Sequence, residues 1–405
     1  MSGEEGAAVR EDMHAIGTSC PRAADEKLPP VRSGAARTLV VKIGSSTLVK
    51  ADGMPDRAFL ADLAAQGARL REMGWNLVIV SSGAIACGLR LLGYDERPAD
   101  MPTLQAAASV GQLTFARAYD EALWGERLLS SLVLLTRHDT ARRASYLHAR
   151  DTLMRLVELG VVPVVNENDT VTVDEIRFGD NDTLAALVAC LVSADLCVTL
   201  SDIDGLYTAN PALDPSATFI PRVEKIDAAI IAAAGDSSTA VGTGGMVTKV
   251  RASRILMTAG IRSVICSGEE PDVLVRLAAG ESVGTLFVPP AGRRDIAPRK
   301  LWIALGDTVH GSLVVDAGAA RALTERGSSL LPVGVRAVEG RFEAGDILDV
   351  RDPEGTVLAR GIAEADSDTL SLAAGRHQDE IAANRLLAGL AGRPAVHRDN
   401  MIVFA

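Results

Sequence analysis

Aromatic side chains are scarce in this chain: 14 of its 405 residues are Phe, Trp or Tyr. That leaves little for base-stacking or sugar-stacking platforms, so the core must be built from Ala, Val, Leu and Ile. An excess of basic charge is also missing. Forty-one Lys and Arg face 52 Asp and Glu, a net charge of −11, which opposes a protein that coats nucleic acid. The five cysteines (Cys20, Cys87, Cys190, Cys197, Cys266) are odd in number, form no C-x-x-C pair and sit mostly in apolar runs. They read as reduced thiols buried in a cytosolic protein. The six histidines show no H-E-x-x-H or Cys/His pairing for zinc. Long apolar runs are absent too. The longest, 184–192, has nine residues, against about 18–20 for a membrane span. No run of about 7–15 apolar residues near the start makes a secretory signal. The expectation is a soluble, cytoplasmic chain that does not engage a membrane.

What is present is apolar substance, at 48% of the residues, and a length that favours two domains. Residues 1–36, with Pro21, Pro29, Pro30 and mixed charge, read as a flexible tail. From residue 38, short β-branched runs (39–43, 77–80, 132–135, 161–165, 196–200, 263–265) alternate with amphipathic stretches (103–123, 145–159, 182–192, 247–259). Phe59, Leu63, Gly67 and Leu70 share a helical face in the same manner. The runs are apolar throughout, as strands of a parallel sheet covered on both faces must be. This predicts a three-layer αβα sandwich with a mostly parallel sheet over 37–290, with ligands at the carboxyl ends of its strands. A Pro/Gly-rich linker follows at 291–307. Short runs at 312–315, 330–335, 347–351 and 357–362, separated by turn residues, predict a small, mostly β module over 308–395.

Polar and glycine clusters fall where strands of the first domain end. Lys42 lies inside an apolar strand just before Gly44 and Ser45. A phosphate contact and a lysine snorkelling to the strand end fit it equally. Ser81-Ser82-Gly83 opens a helix, as an anion corner or as an ordinary N-cap with a glycine turn. Asn166-Glu167-Asn168-Asp169 closes a buried strand. Asp180-Asn181-Asp182 offers more Asx groups than a cap requires. The last two clusters suit an ammonium, an oriented lysine or a metal held through water. Thr243-Gly244-Gly245-Met246-Val247-Thr248-Lys249 runs into a helix, and a lysine in a first turn opposes the macrodipole unless an anion sits there. It matches neither the P-loop nor G-x-G-x-x-G. Ser201-Asp202 is a weaker candidate for nucleotide contact. Two lysines, two glycine corners and two Asx clusters describe phosphoryl transfer. No histidine is placed as a base, which favours an acceptor already ionised at pH 7, such as a carboxylate.

The strings VVKIGSS (40–46), SSGAIACG (81–88), VVPVVNENDTV (161–171), FGDNDTLAALVA (178–189), SDIDGLYTANP (201–211) and GTGGMVTK (242–249) resemble the amino acid kinase family, in particular its glutamate 5-kinase branch. SVGTLF (282–287), RGSSLLPVGV (326–335) and AVHRDNM (395–401) extend the resemblance over about 37–401, and the C-terminal module looks like a PUA domain. The resemblance implies ATP- and Mg²⁺-dependent phosphorylation of the γ-carboxylate of L-glutamate to L-glutamyl 5-phosphate. That is the first step of proline synthesis, inhibited by L-proline. It implies a homo-oligomer, dimer or tetramer, and a separate glutamyl-phosphate reductase. Lys42 and Lys249 would neutralise the moving phosphoryl group, with Asp182 holding both. Ser82, Asp169 and Asn181 would bind glutamate, with Asn166 and Asp180 nearby. Lys42, Gly44, Ser45, Ser201, Asp202 and the loop Thr243, Gly244, Gly245, Met246, Val247, Thr248 and Lys249 would hold ATP. Mg²⁺ would ride on the ATP phosphates rather than on protein ligands. Ser45 and Ser201 stand where threonine is common, and both keep the hydroxyl. Lys249 is expected in an exposed loop. Between 301 and 390, fourteen acidic residues face eight arginines and no lysine, a net of −6, so RNA is not an expected partner of the module.

Overall fold

The computed structural model of the chain describes residues 36–136, 143–171, 181–235, 245–290, 300, 303 and 309–404. The expected tail, nearly all of the linker, Asp180, Thr243 and Gly244 lie outside them.

In the first domain the strands are β1 (Arg37–Ile43), β2 (Trp75–Val80), β3 (Ser130–Leu135), β4 (Val162–Glu167), β5 (Leu196–Ser201), the two-residue β6 (Leu206–Tyr207), β7 (Phe219–Ile220) and β8 (Arg222–Val223), β9 (Arg262–Ser267) and β10 (Thr285–Phe287). The helices are α1 (Ser45–Leu48), α2 (Arg57–Glu72), α3 (Ala84–Leu91), α4 (Met101–Gly125), α5 (Arg143–Glu158), α6 (Asn181–Leu191), α7 (Ala228–Ala234), α8 (Met246–Thr258) and α9 (Val273–Ala279). Eight strands form one sheet in the order β3-β4-β2-β1-β5-β9-β10-β8. It is parallel except where β10 runs against β9.

Helices cover both faces, which is why β1 and β5 read as unbroken apolar runs. Strand alternation divides β1 between two cores. Leu39, Val41 and Ile43 join Leu60 and Leu63 of α2 and Phe115 and Tyr119 of α4 on one side. Val40 joins Leu184–Leu191 residues of α6 and Ile255 and Leu256 of α8 on the other. Lys42 shares the parity of Val40, so the pleat directs it toward α6 and α8. Helix α6 is buried nearly all round, from Asp182 to Leu191, as a helix inside a core must be. Cys87, Cys197 and Cys266 are buried free thiols. Burial pushes their pKa values up to about 11, 12 and 12, so they are poor nucleophiles.

The second sheet contains β11 (Gly311–Val315), β12 (Val335–Gly340), β13 (Ile347–Arg351), β14 (Val357–Ala363) and β15 (Val396–Val403), in the order β12-β11-β13-β14-β15. Helices α10 (Ala317–Arg326), α11 (Ser367–Ala373) and α12 (Gln378–Ala383) accompany it. Two expectations need correction. The run 330–335 is not a strand: Leu330 makes a lone bridge to Val396, and Pro332–Gly334 is a 3₁₀ turn. Pro332 has no N–H to give a ladder. The module also does not end at 395, because β15 pairs with β14 through Val403. Ile402 and Phe404 then enter the core shared by α6 and α8, so the last strand fastens the module to that face of the first domain.

Candidate active site

The sheet order sets the carboxyl ends of β4, β2, β1 and β5 side by side. Three strand spacings make about 14 Å of continuous sheet edge. Along it stand Asn166 at the end of β4, Ser81 and Ser82 after β2, Lys42 and Gly44 at the end of β1, and Ser201 at the end of β5.

At the centre is Asp182, with no exposed surface. Its Oδ1 is 2.7 Å from Lys42 Nζ and its Oδ2 is 3.4 Å from Lys249 Nζ. The Thr248 hydroxyl lies 2.8 Å from Oδ2 and 2.7 Å from the Gly245 carbonyl. Burial alone would raise the Asp182 carboxyl. The Lys42 and Lys249 ammoniums, with hydrogen bonds from Lys42 and Thr248, outweigh it and hold the pKa below the ordinary carboxylate range. Lys249 is 6% exposed and sits in the first turn of α8. That corrects the expectation of an exposed loop lysine: the helix begins at Met246 and turns Lys249 inward onto Asp182.

One carboxylate therefore brings two buried ammoniums together at the strand ends, and a pair of cations so placed suits a phosphate. Backbone geometry agrees. Among the described residues, a Cβ on Gly44 would come no closer than 3.6 Å to the Leu200 carbonyl and the Ser46 hydroxyl, and one on Gly245 would meet nothing within 4 Å. The fold does not require glycine at either place, whereas close approach of a phosphate to the backbone would. Gly83 is different. Its φ is +88° and a Cβ would lie 2.6 Å from Val49 Cγ2, so it serves the turn. Gly83 is also the N-cap of α3, without a side-chain cap bond, so neither Ser81 nor Ser82 acts as the cap.

On the β2–β4 side, Asn181 Nδ2 reaches the Ser81 carbonyl at 2.5 Å, Ser82 Oγ at 3.0 Å and Asn166 Oδ1 at 3.0 Å. The Asn166 amide donates to Gln112 Oε1 of α4 at 2.7 Å. Ser82, Asn166 and Asn181 are thus one polar network next to the lysines, with Asp169 part-buried in the turn after β4. On the β5 side, the Ser201 hydroxyl donates to exposed Asp202 at 2.9 Å. Sequence reasoning missed Gln112, whose only signal was an amide on an otherwise apolar helix face. It also missed that Thr248 braces Asp182.

The amino acid kinase family model matches residues 37–267, and the PUA domain model matches residues 311–384. The glutamate 5-kinase of Geobacter sp. (strain M21) is 46% identical over 367 residues, covering 91% of this chain and 97% of its own. That of Acidovorax ebreus (strain TPSY) is 47% identical over 376 residues, with 91% and 97% covered. Among solved structures, carbamate kinase from Giardia lamblia bound to AMP-PNP superposes with a TM-score of 0.46 at 17% identity, covering 63% of this chain and 99% of that one. A continuous sheet edge carrying two buried lysines and relatives matched over nearly their whole length lead to one assignment: the chain belongs to the amino acid kinase family, among its glutamate 5-kinases, and is a phosphotransferase with a C-terminal PUA domain.

Proposed function

We propose that the chain transfers the γ-phosphoryl group of ATP to the γ-carboxylate of L-glutamate, giving L-glutamyl 5-phosphate and ADP. The observation that carries this reading is the single Asp182 carboxylate shared by Lys42 and Lys249. A carboxylate oxygen of glutamate attacks the γ-phosphorus, and the bond to the bridging oxygen of ADP breaks with its electron pair. Negative charge gathers on the transferring group and on ADP, beside the two ammoniums. Lys42 and Lys249 meet that charge, and Asp182 positions them. Asp182 is not a base: both oxygens face lysines and its pKa is depressed. None is needed, because the acceptor is ionised at pH 7.

Ser82, Asn166 and Asn181 bind glutamate in this reading, with Asp169 on its α-ammonium and Asp180 beside it. Gly44, Ser45, Ser201, Asp202 and the loop from Thr243 to Lys249 hold ATP. Mg²⁺ travels on the phosphates. Among the described residues no group of three or more His, Cys, Asp or Glu could hold a metal ion. The reaction fits the first step of proline synthesis in the cytoplasm, with feedback by L-proline, a homo-oligomeric enzyme and a separate reductase that consumes the acyl phosphate. The acidic module is read as structural or regulatory rather than RNA-binding.

The test is ADP release by the purified chain with glutamate, aspartate, carbamate or UMP as acceptor, with and without proline. Turnover with another acceptor and none with glutamate would overturn the reading.

A further inference from the structure

Helix α8 has two attachments. Its first turn carries Lys249 to Asp182. Five residues on, about 7.5 Å along the axis and about 140° around it, Arg254 reaches into the C-terminal module. Its guanidinium donates to the Val357 carbonyl of β14 and lies 4.3 Å from the centre of the Phe404 ring. Around it the packing is incomplete. A cavity of about 200 Å³ is lined by Val247, Val250 and Ile255 of α8 and by Val357 and Phe404 of the module. Asp349 and Arg360 border the same cavity as a buried ion pair at 2.7 Å.

Arg254 does not serve cohesion well. Its Nε is buried with no hydrogen-bond partner among the described residues. Burial, with the Arg360 guanidinium nearby, pushes its pKa down to about 10 against the pull of Asp349. An apolar side chain filling the cavity would hold the two units together at least as well. What Arg254 supplies instead is direction, through one carbonyl and one ring face. That matters because the first turn of the same helix meets the carboxylate between the lysines: Thr248 bonds Asp182 at 2.8 Å and Lys249 stands 3.4 Å from it. A stiff helix passes any shift at the Arg254 end to the ammonium at the other.

Resting on the proposed reaction, we infer that Arg254 is a positioning residue: by holding α8 on Val357 and Phe404 of the module, it sets the reach of Lys249 toward the transferring phosphoryl group. The PUA module thereby becomes part of the catalytic geometry without touching substrate.

The test is a double-mutant cycle on the full chain, reading glutamate-dependent ADP formation and thermal unfolding. Arg254→Met keeps the alkyl stem on Phe404 and removes the carbonyl bond and the charge. Expected is a folded variant with kcat lower by about tenfold and KM for glutamate within about twofold of wild type. In a Lys249→Ala background the same change should lower kcat by less than about twofold, because Arg254 acts through Lys249. Equal losses in both backgrounds, or wild-type kcat in Arg254→Met, overturn the inference. Should Arg254→Met fail to fold, Phe404→Leu, which removes the ring but fills the core, enters the same cycle: a kcat loss that shrinks in the Lys249→Ala background supports the inference, and an equal loss or none overturns it. A wild-type chain that forms no ADP with glutamate overturns the proposed reaction instead. An active wild type with an unaffected Arg254→Met overturns only this inference.

Discussion

Two buried carboxylates in this chain look alike and are not. Asp182 in the first domain and Asp349 in the module are 0% and 5% exposed, and each holds a cation at 2.7 Å. Asp349 faces Arg360 directly across β13 and β14, a cross-strand pair that balances itself. Its second cation, Arg351, is 3.7 Å away and 38% exposed, so water screens it. Asp182 lies at the strand ends and holds two ammoniums that are each 6% exposed. Buried charge alone therefore marks nothing. Two ammoniums gathered at the strand ends, beside backbone that the described residues leave open at Gly44 and Gly245, suit an anion.

The contrast breaks most sharply at Lys249. Lys249→Ala is expected to lower kcat about 10²–10³-fold while leaving the melting temperature nearly unchanged, because Lys42 still neutralises Asp182. Loss of folding with normal activity per folded molecule would make the second lysine structural. Asp182→Asn removes the carboxylate shared by two ammoniums and Asp349→Asn the one facing a buried guanidinium, so each should destabilise by about 3–5 kcal/mol. Saturating ATP should restore part of the melting temperature of Asp182→Asn, beyond its effect on wild type, and should not do so for Asp349→Asn. Activity in Asp349→Asn should fall no further than in Arg254→Met, since its only route to the site is through α8.

Acid unfolding sharpens the same point more gently. The folded pKa of Asp182 is depressed, so its ion pairs stabilise the fold fully above the unfolded carboxylate pKa of about 3.9. That stabilisation is lost as pH falls through the lower folded value. Wild type should lose stability steeply below about pH 4, and the Asp182→Asn variant less steeply over the same window. Identical acid limbs would mean that Asp182 is not ionised against the lysines.

The first of these sites was legible and the second was not, for physical reasons. Lys42 stood out because an apolar strand seldom contains an ammonium, and strand parity fixed which face it entered. The clusters at Ser81, Asn166 and Ser201 were legible because parallel strands end on one edge. The burial of Lys249 was hidden: the pattern placed it in the first turn of a helix, but which way that turn faces is set by the packing of α8 on the rest of the domain. Gln112 and Asn166 are 54 residues apart, and no local pattern joins them. Asp349 and Arg360 lie 11 apart across a hairpin whose register the turn decides. In β15, the polar stretch from His397 to Asn400 broke the apolar signal, because those positions are not held in the core.

If the two lysines at Asp182 exist for an anion, crowding the anion should injure function without touching any charge. Gly44→Ala and Gly245→Ala do this. Among the described residues each new Cβ meets nothing closer than 3.6 Å. Neither glycine has a positive φ, at −68° and −76°. The methyl group should leave stability unchanged or raise it by about 0.4–1 kcal/mol, through a less flexible unfolded chain. The same methyl would stand where a phosphate approaches the backbone, so KM for ATP should rise several-fold while KM for glutamate holds. Gly83→Ala is the control: at φ +88° and 2.6 Å from Val49, it should destabilise the fold by about 1–3 kcal/mol. Melting curves and ATP titrations of the three variants separate the cases. A Gly44→Ala protein that is unstable yet binds ATP normally would show that the glycine serves the turn, and that the paired lysines answer to something other than a phosphate at β1.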